Sequence, residues 1–222
     1  MKAILRQVFK IFGYSIVPNG TLAIDVRQLR NIPYYHSLMQ MIKDVPGSVV
    51  ECGVGKGRTF LYFSHLINDE NIGRKLWGFD SFEGFPQPTV EDMSPRNPKK
   101  GEWSGVSQED IKCILRSAGL PQKFIDTNIV LVKGYVEETL QKYDGQPIAL
   151  LHIDLDLYSG YKHVLDTLVG FVAEGGMVVF DEYGERNWPG ATQAVDEFLS
   201  AYSWTLETHP FSGKRYFIKT NS

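Results

Sequence analysis

An α/β fold built on a mostly parallel sheet is what this sequence predicts, on three observations. In residues 147–184, PIALLHIDLDLYSGYKHVLDTLVGFVAEGGMVVFDEYG, two short apolar runs bracket a helical pattern, which reads as strand, crossover helix, strand. Upstream, SVVECGVGKGRTFLYFSHLI followed by KLWGFDSF reads as strand, glycine turn, helix, strand. The 222 residues, 43% hydrophobic and 22% charged, fit one α/β domain of ordinary globular composition. Parallel strands end on a common rim, where open α/β sheets bind their ligands.

Taken in order, residues 1–16 place Ile4, Leu5, Val8, Phe9, Phe12 and Ile16 on one helical face, away from Lys2, Arg6 and Lys10. Packing against the domain or a second subunit is favoured over a membrane surface. A second helix is expected over 31–45, closing at Pro46-Gly47. The strand around Val49 and Val50 leads through Gly53, Gly55 and Gly57 into a helix over 59–67. Residues 84–106 hold four prolines and three glycines without periodicity. A loop of that length is usually functional or disordered, so it is either a lid with Trp103 as an aromatic wall, or a solvated insertion. Ser107-Gln108-Glu109-Asp110 opens a helix to about Ala118, and NIVLVKGY is the third strand. It leaves Gly134 and Tyr135 on the rim, beside an adenine on this reading. A helix runs from Val136 to about Lys142, PGATQAVDEFLSAY is another, and the tail forms a hairpin around Ser212-Gly213. The organisation expected is an N-terminal helical extension over 1–30 and a single domain over 31–222.

Net charge of −3 and a pI near 6.0 give no electrostatic case for nucleic acid. Cys52 and Cys113 make no disulfide framework. With no signal-peptide pattern and no run of transmembrane length, the cytoplasm is the expected location.

Chemistry concentrates where the strands end. Glu51 precedes a G-x-G-x-G turn, a poor neighbour for pyrophosphate and a tolerable one for an amino or sulfonium group. Asp80, 29 residues on, stands where nucleoside-binding folds place an acid for ribose hydroxyls; the alternative is a turn residue helped by Ser81. Asp154 and Asp156 follow one strand, Asp181 and Glu182 the other. Four acids on one rim repel unless a cation lies among them, and oxygen ligands suit Mg²⁺, Mn²⁺ or Ca²⁺. One of Asp154 and Asp156 could instead cap the helix starting near Tyr158. His152, deeper in its apolar run, reads as a hydrogen-bonded core histidine.

Together ECGVGKGRT, GFDSFEGFP, HIDLDLY, GGMVVFDEYG and WPGATQAVDEF resemble the macrocin O-methyltransferase (TylF-type) family from roughly Pro33 to Lys219. The resemblance implies a Rossmann-like class I S-adenosylmethionine-dependent methyltransferase fold. Its seven-stranded, mostly parallel sheet has an antiparallel last strand and helices on both faces. It also implies Mg²⁺-dependent (or Mn²⁺-dependent) methylation of a hydroxyl on a sugar or glycosylated small molecule, by a homo-oligomer. Matched by motif, Asp154, Asp181 and Glu182 are metal ligands and Asp156 is the general base. Glu51, Gly53, Gly55, Gly57, Thr59, Asp80 and Ser81 are cofactor positions, joined by Gly134 and Tyr135 on the rim. Where family members can carry Asp-Asp, this chain has Asp181-Glu182, whose second carboxylate reaches one methylene further. A metal-dependent methyltransferase of a catechol-like phenol and a non-catalytic S-adenosylmethionine-binding protein are the competing readings.

Overall fold

The computed structural model describes residues 26–220, so the helix expected over 1–16 lies outside the described residues. In chain order the elements are α1 (Val26–Met41), β1 (Ser48–Cys52), α2 (Arg58–Glu70), β2 (Leu76–Asp80), α3 (Gln108–Ser117), α4 (Gln122–Asn128), β3 (Ile129–Lys133), α5 (Val136–Thr139), β4 (Ile148–Ile153), α6 (Tyr158–Leu168), β5 (Val172–Phe180), α7 (Pro189–Leu199), β6 (Glu207–Thr208) and β7 (Arg215–Ile218). The sheet has seven strands in the order β3-β2-β1-β4-β5-β7-β6. β1 to β5 pair in parallel, and β7 lies antiparallel to both β5 and β6. The expected sheet, with its antiparallel last strand, is the one observed.

Period-2 burial sorts the strand side chains into two cores. On one face Val50, Leu151 and Val178 meet Tyr161, Leu165 and Leu168 of α6 and Ala191 and Val195 of α7. On the other, Val49, Leu150 and Val179 meet Leu38 of α1, Phe60 and Phe63 of α2 and Ile111 of α3. Helices thus cover both faces.

Several boundaries differ from the sequence reading. α1 starts at Val26 and carries Pro33 inside it; the missing N–H of Pro33 costs one helical bond, which Tyr34, Tyr35, Leu38 and Ile42 offset by burial. α4 has only seven residues, too few for periodicity to show. β2 stops at Asp80 because its carboxylate accepts the Phe82 N–H at 2.6 Å, turning the chain. β5 starts four residues before GMVVF and absorbs a register shift against β4, so alternation in VAEG is masked by a bulge. Ser107 and Asp110 do form the expected capping box on α3. Both cysteines are free, Cys52 buried and Cys113 exposed. Among the described residues, no helix is long and apolar enough to cross a membrane.

Candidate active site

The strand order reverses between β1 and β4, the place where α/β sheets open a crevice at their carboxyl ends. There the two strand ends touch. The Asp154 N–H donates to the Cys52 carbonyl at 2.8 Å, and a Cβ on Gly53 would lie 1.7 Å from the Asp154 carbonyl oxygen. Glycine at 53, with φ +96°, is therefore required by the seam itself. Above the seam lies a cavity of about 900 Å³.

One half of the cavity is built by the β1–α2 and β2 ends. Gly55, at φ +52°, has no atom within 4 Å of its would-be Cβ and so faces open cavity. Its N–H donates to Asp80 at 2.7 Å. Burial raises the Asp80 carboxyl, and the backbone N–H groups of Phe82, Gly55 and Val54 partly oppose the rise. Two bonded N–H donors leave lone pairs on Asp80 for ligand hydroxyls. Thr59, hydrogen-bonded to the Tyr35 hydroxyl at 2.9 Å, lines this half together with Ser81 and Tyr135. The Ser81 hydroxyl donates to the Gly84 carbonyl, closing the turn after Asp80. Gly57 (φ +76°) caps α2 in the left-handed region. At Gly134 a Cβ would meet Thr139 at 2.6 Å.

Glu51 does not line the cavity. Its side chain is 0% exposed behind the turn, beside an equally buried His152 whose Nδ1 is 3.6 Å away. His152 was expected to be a hydrogen-bonded core residue; it is core, but neither ring nitrogen has a hydrogen-bond partner among the described residues. Phe63 and Tyr35 pack their rings against it edge-on, and the Glu51 carboxylate stops just beyond hydrogen-bond distance. Burial favours the neutral form of both partners, pulling His152 down to about 4 and pushing Glu51 well up.

The other half is acidic. Carboxylate oxygens of Asp154, Asp156 and Glu182 lie within 4.8 Å of one another. Burial, then the charge of Asp181, raises Asp154 well above the usual range and pushes Asp156 up to about 7. Burial, then Asp154, does the same to Glu182, which also accepts a hydrogen bond from the buried Tyr161 hydroxyl. Asp181 is turned toward Lys214, whose ammonium donates to it at 3.0 Å and to Glu185 at 2.9 Å. Burial works against the Lys214 charge, but Asp181 and Glu185 outweigh it and hold the ammonium above its usual range. The structure therefore gathers Asp154, Asp156 and Glu182 tightly and sets Asp181 beside a lysine. The all-oxygen donor set, too crowded to ionise fully without added positive charge, fits a hard divalent cation.

The insertion 84–106 is tied to the body of the domain at several points, while Val90, Met93 and Trp103 stay exposed. Phe85 N–H donates to the Glu102 carbonyl and Gly101 N–H to the Phe85 carbonyl, so its ends close on each other. The Arg96 guanidinium sits 5.0–5.9 Å from the ring centres of Trp188, Trp103 and Phe85 and pairs with Glu102 at 2.8 Å. Phe85 and Trp103 face the cavity. Non-glycine residues with positive φ are Asn71, Phe82, Asn97, Trp103 and Asp156 among the described residues. Asparagine tolerates that region; the other three all line the cavity, so backbone strain collects there.

Sequence reasoning missed Tyr34 and Tyr35, which α1 lays over the rim, and Lys214 from the hairpin. Each reaches the cavity across a large sequence separation, and no local spacing signals it. Burial, then Asp181, raises the Tyr34 phenol. The hairpin that carries Lys214 is tied to α1 through Ser37 and His209 Nε2 at 2.8 Å.

Comparison with known proteins gives this geometry its place. The macrocin-O-methyltransferase (TylF) family model matches residues 23–207. Demethyldecarbamoylnovobiocin O-methyltransferase of Streptomyces niveus is 26% identical over 207 residues, 89% of this chain and 74% of the relative. The solved calicheamicin methyltransferase CalS11 matches with a TM-score of 0.81 at 26% identity, over 99% of this chain and 93% of that one. Its apo structure, described as a TDP-rhamnose 3'-O-methyltransferase, matches with a TM-score of 0.71 at 25% identity, over 99% and 94% of the two chains. A family match over most of its length, on a class I methyltransferase sheet, means that the chain belongs to the macrocin-O-methyltransferase (TylF) family and is an O-methyltransferase.

Proposed function

We propose that this enzyme methylates a hydroxyl of a sugar or glycoside, using S-adenosylmethionine and a divalent cation, Mg²⁺ or Mn²⁺. The observation that carries the reading is the union of an open glycine turn and a crowded carboxylate rim around one cavity. The similar TDP-rhamnose methyltransferase supports a sugar acceptor. S-adenosylmethionine, when bound, supplies an electrophilic methyl group; a divalent cation, when bound, makes a coordinated hydroxyl more acidic.

The chain's own residues do the rest. Gly55 leaves room for the nucleoside against the backbone, and Asp80 offers its free lone pairs to ribose hydroxyls. Asp154, Asp181 and Glu182 would hold the cation, and Lys214 holds Asp181 in place beside them. Asp156 takes the acceptor's proton. Its carboxylate lies within 4.8 Å of the Asp154 and Glu182 oxygens and lines the cavity, within reach of an acceptor held there. Phe85 and Trp103 wall the acceptor from water, so residues 84–106 act as the cover of the acceptor side.

Calorimetric titration with S-adenosylhomocysteine and then Mg²⁺ tests the assignment. Wild type and Asp156→Asn should bind both, while Asp154→Ala and Asp181→Asn should bind the nucleoside and lose the ion. Ion binding that survives Asp181→Asn and fails in Asp156→Asn would move Asp156 into the ligand set.

A further inference from the structure

Asp92 is 3% exposed, although it sits in the insertion. One carboxylate oxygen accepts the Thr89 N–H at 2.8 Å and the Thr89 hydroxyl at 3.1 Å, closing a short 3-10 turn over Val90–Asp92. The other accepts the Tyr158 N–H at 2.8 Å. Tyr158 is the first residue of α6, and Leu157 before it offers that helix no side-chain cap. The cap comes from the insertion, across 66 residues.

The approach is close. A Cβ on Gly190, in the first turn of α7, would lie 2.1 Å from the same Asp92 oxygen and 2.9 Å from Tyr158 Cβ. Glycine at 190 therefore lets one carboxylate sit between the starts of α6 and α7. Ser94 adds a second tie, donating to the Asn187 carbonyl at 2.9 Å. Just upstream of the capped N–H run Asp154, Leu155, Asp156 and Leu157, in a turn tight enough for Leu157 N–H to donate to the Leu155 carbonyl at 2.7 Å.

We propose that Asp92 is a positioning residue: it clamps the insertion onto the start of α6 and thereby fixes the Asp154–Asp156 turn, setting the acidic rim without touching the glycine half. A charge at a helix N-terminus with a short bond is a strong local constraint, and Asp156 lies two residues from the clamped N–H. The consequence for ion binding rests on the function proposed above; the clamp itself does not. Residues 89–94 are thus fixed to the two helices, and any opening of the acceptor side is left to the Trp103 end.

The full-length chain provides the test, through amide hydrogen exchange, Mn²⁺ affinity and S-adenosylhomocysteine affinity. Asp92→Ala should speed exchange over 156–160 by about tenfold or more and weaken Mn²⁺ by a similar factor, while nucleoside affinity stays within about twofold. Asp92→Asn should restore most protection at 156–160, since its carbonyl oxygen still accepts from Tyr158, but not at 89–92, where its amide cannot accept the Thr89 N–H. Gly190→Ala, which crowds Asp92 from the far side and leaves its chemistry intact, should reproduce the alanine pattern. Unchanged exchange at 156–160 in Asp92→Ala, or equal losses of Mn²⁺ and nucleoside affinity, would overturn the proposal. If Asp92→Ala does not fold, the contrast between the two segments in Asp92→Asn decides alone. Wild type failing to bind Mn²⁺ would sink the cation reading, and the exchange data would still judge the clamp.

Discussion

The glycine half and the acidic half of the cavity share one rim but are built in opposite ways. The first comes mainly from one stretch, 48–84, joined by Tyr35 and Tyr135; within it Asp80 accepts from Gly55 and Phe82, and Ser81 donates to Gly84. The second draws on β4, β5, the insertion and the hairpin, and it leaves three carboxyls raised together. A self-satisfied half is preorganised before any ligand arrives. The acidic half stores repulsion that an added positive charge relieves, so ion binding and stability are linked there.

The contrast is sharpest in turnover. Asp156→Asn should cut it by about 10²–10⁴-fold while S-adenosylhomocysteine affinity stays within about twofold, and asparagine accepts the positive φ. Steady-state methyl transfer beside calorimetry reads both; full turnover in this variant would remove Asp156 as base.

Next in size is the seam. Gly53→Val forces a side chain into the Asp154 carbonyl at positive φ and should cost about 3 kcal/mol or more, seen as a lower urea midpoint with both halves damaged at once. A variant that folds normally and loses only nucleoside binding would show that the halves are not joined there.

Acidity should separate the halves more gently. A carboxyl raised in the folded chain binds its proton more tightly there than when unfolded. Ion-free wild type therefore loses stability as pH climbs from the unfolded carboxylate value, about 4, through about 7. Asp156→Asn lacks the Asp156 share of that loss, so its stability advantage should grow from nothing near pH 4 to about 4 kcal/mol above pH 7. Saturating Mg²⁺ should raise the wild-type melting temperature most at the alkaline end. Parallel melting curves at pH 4 and 8 would contradict the stored repulsion.

The smallest effect is expected at Gly55. Its left-handed backbone makes Gly55→Ala cost about 1 kcal/mol of stability, but the new methyl projects into open cavity. Nucleoside affinity should therefore fall while Mg²⁺ binding persists, and equal losses would deny the separation.

What was legible follows the same division. The β1 turn, Asp80 and the strand-helix-strand unit around Asp154 are local patterns, with strand ends, glycines and acids adjacent in the chain. Even there context altered the details. Glu51 has turn spacing but is held behind the turn with His152, because burial in the sheet outranks proximity to the cavity. α4 was too short to register, and the first half of β5 was hidden by its bulge. The cap of α6 was sought among its own neighbours, Asp154 and Asp156, and is supplied by Asp92.

By itself, then, the sequence determined the sheet, its order of α/β units, the glycine turn and the presence of four acids at two strand ends. Period-2 and 3.6-residue patterns encode burial directly, and parallel pairing brings strand ends together automatically. Only the tertiary structure decided which acids cluster, that Lys214 claims Asp181, that Tyr34 and Tyr35 overhang the rim and that Asp92 clamps α6. Those outcomes depend on the distances and desolvation set when segments remote in the chain are packed together, and no local spacing carries them.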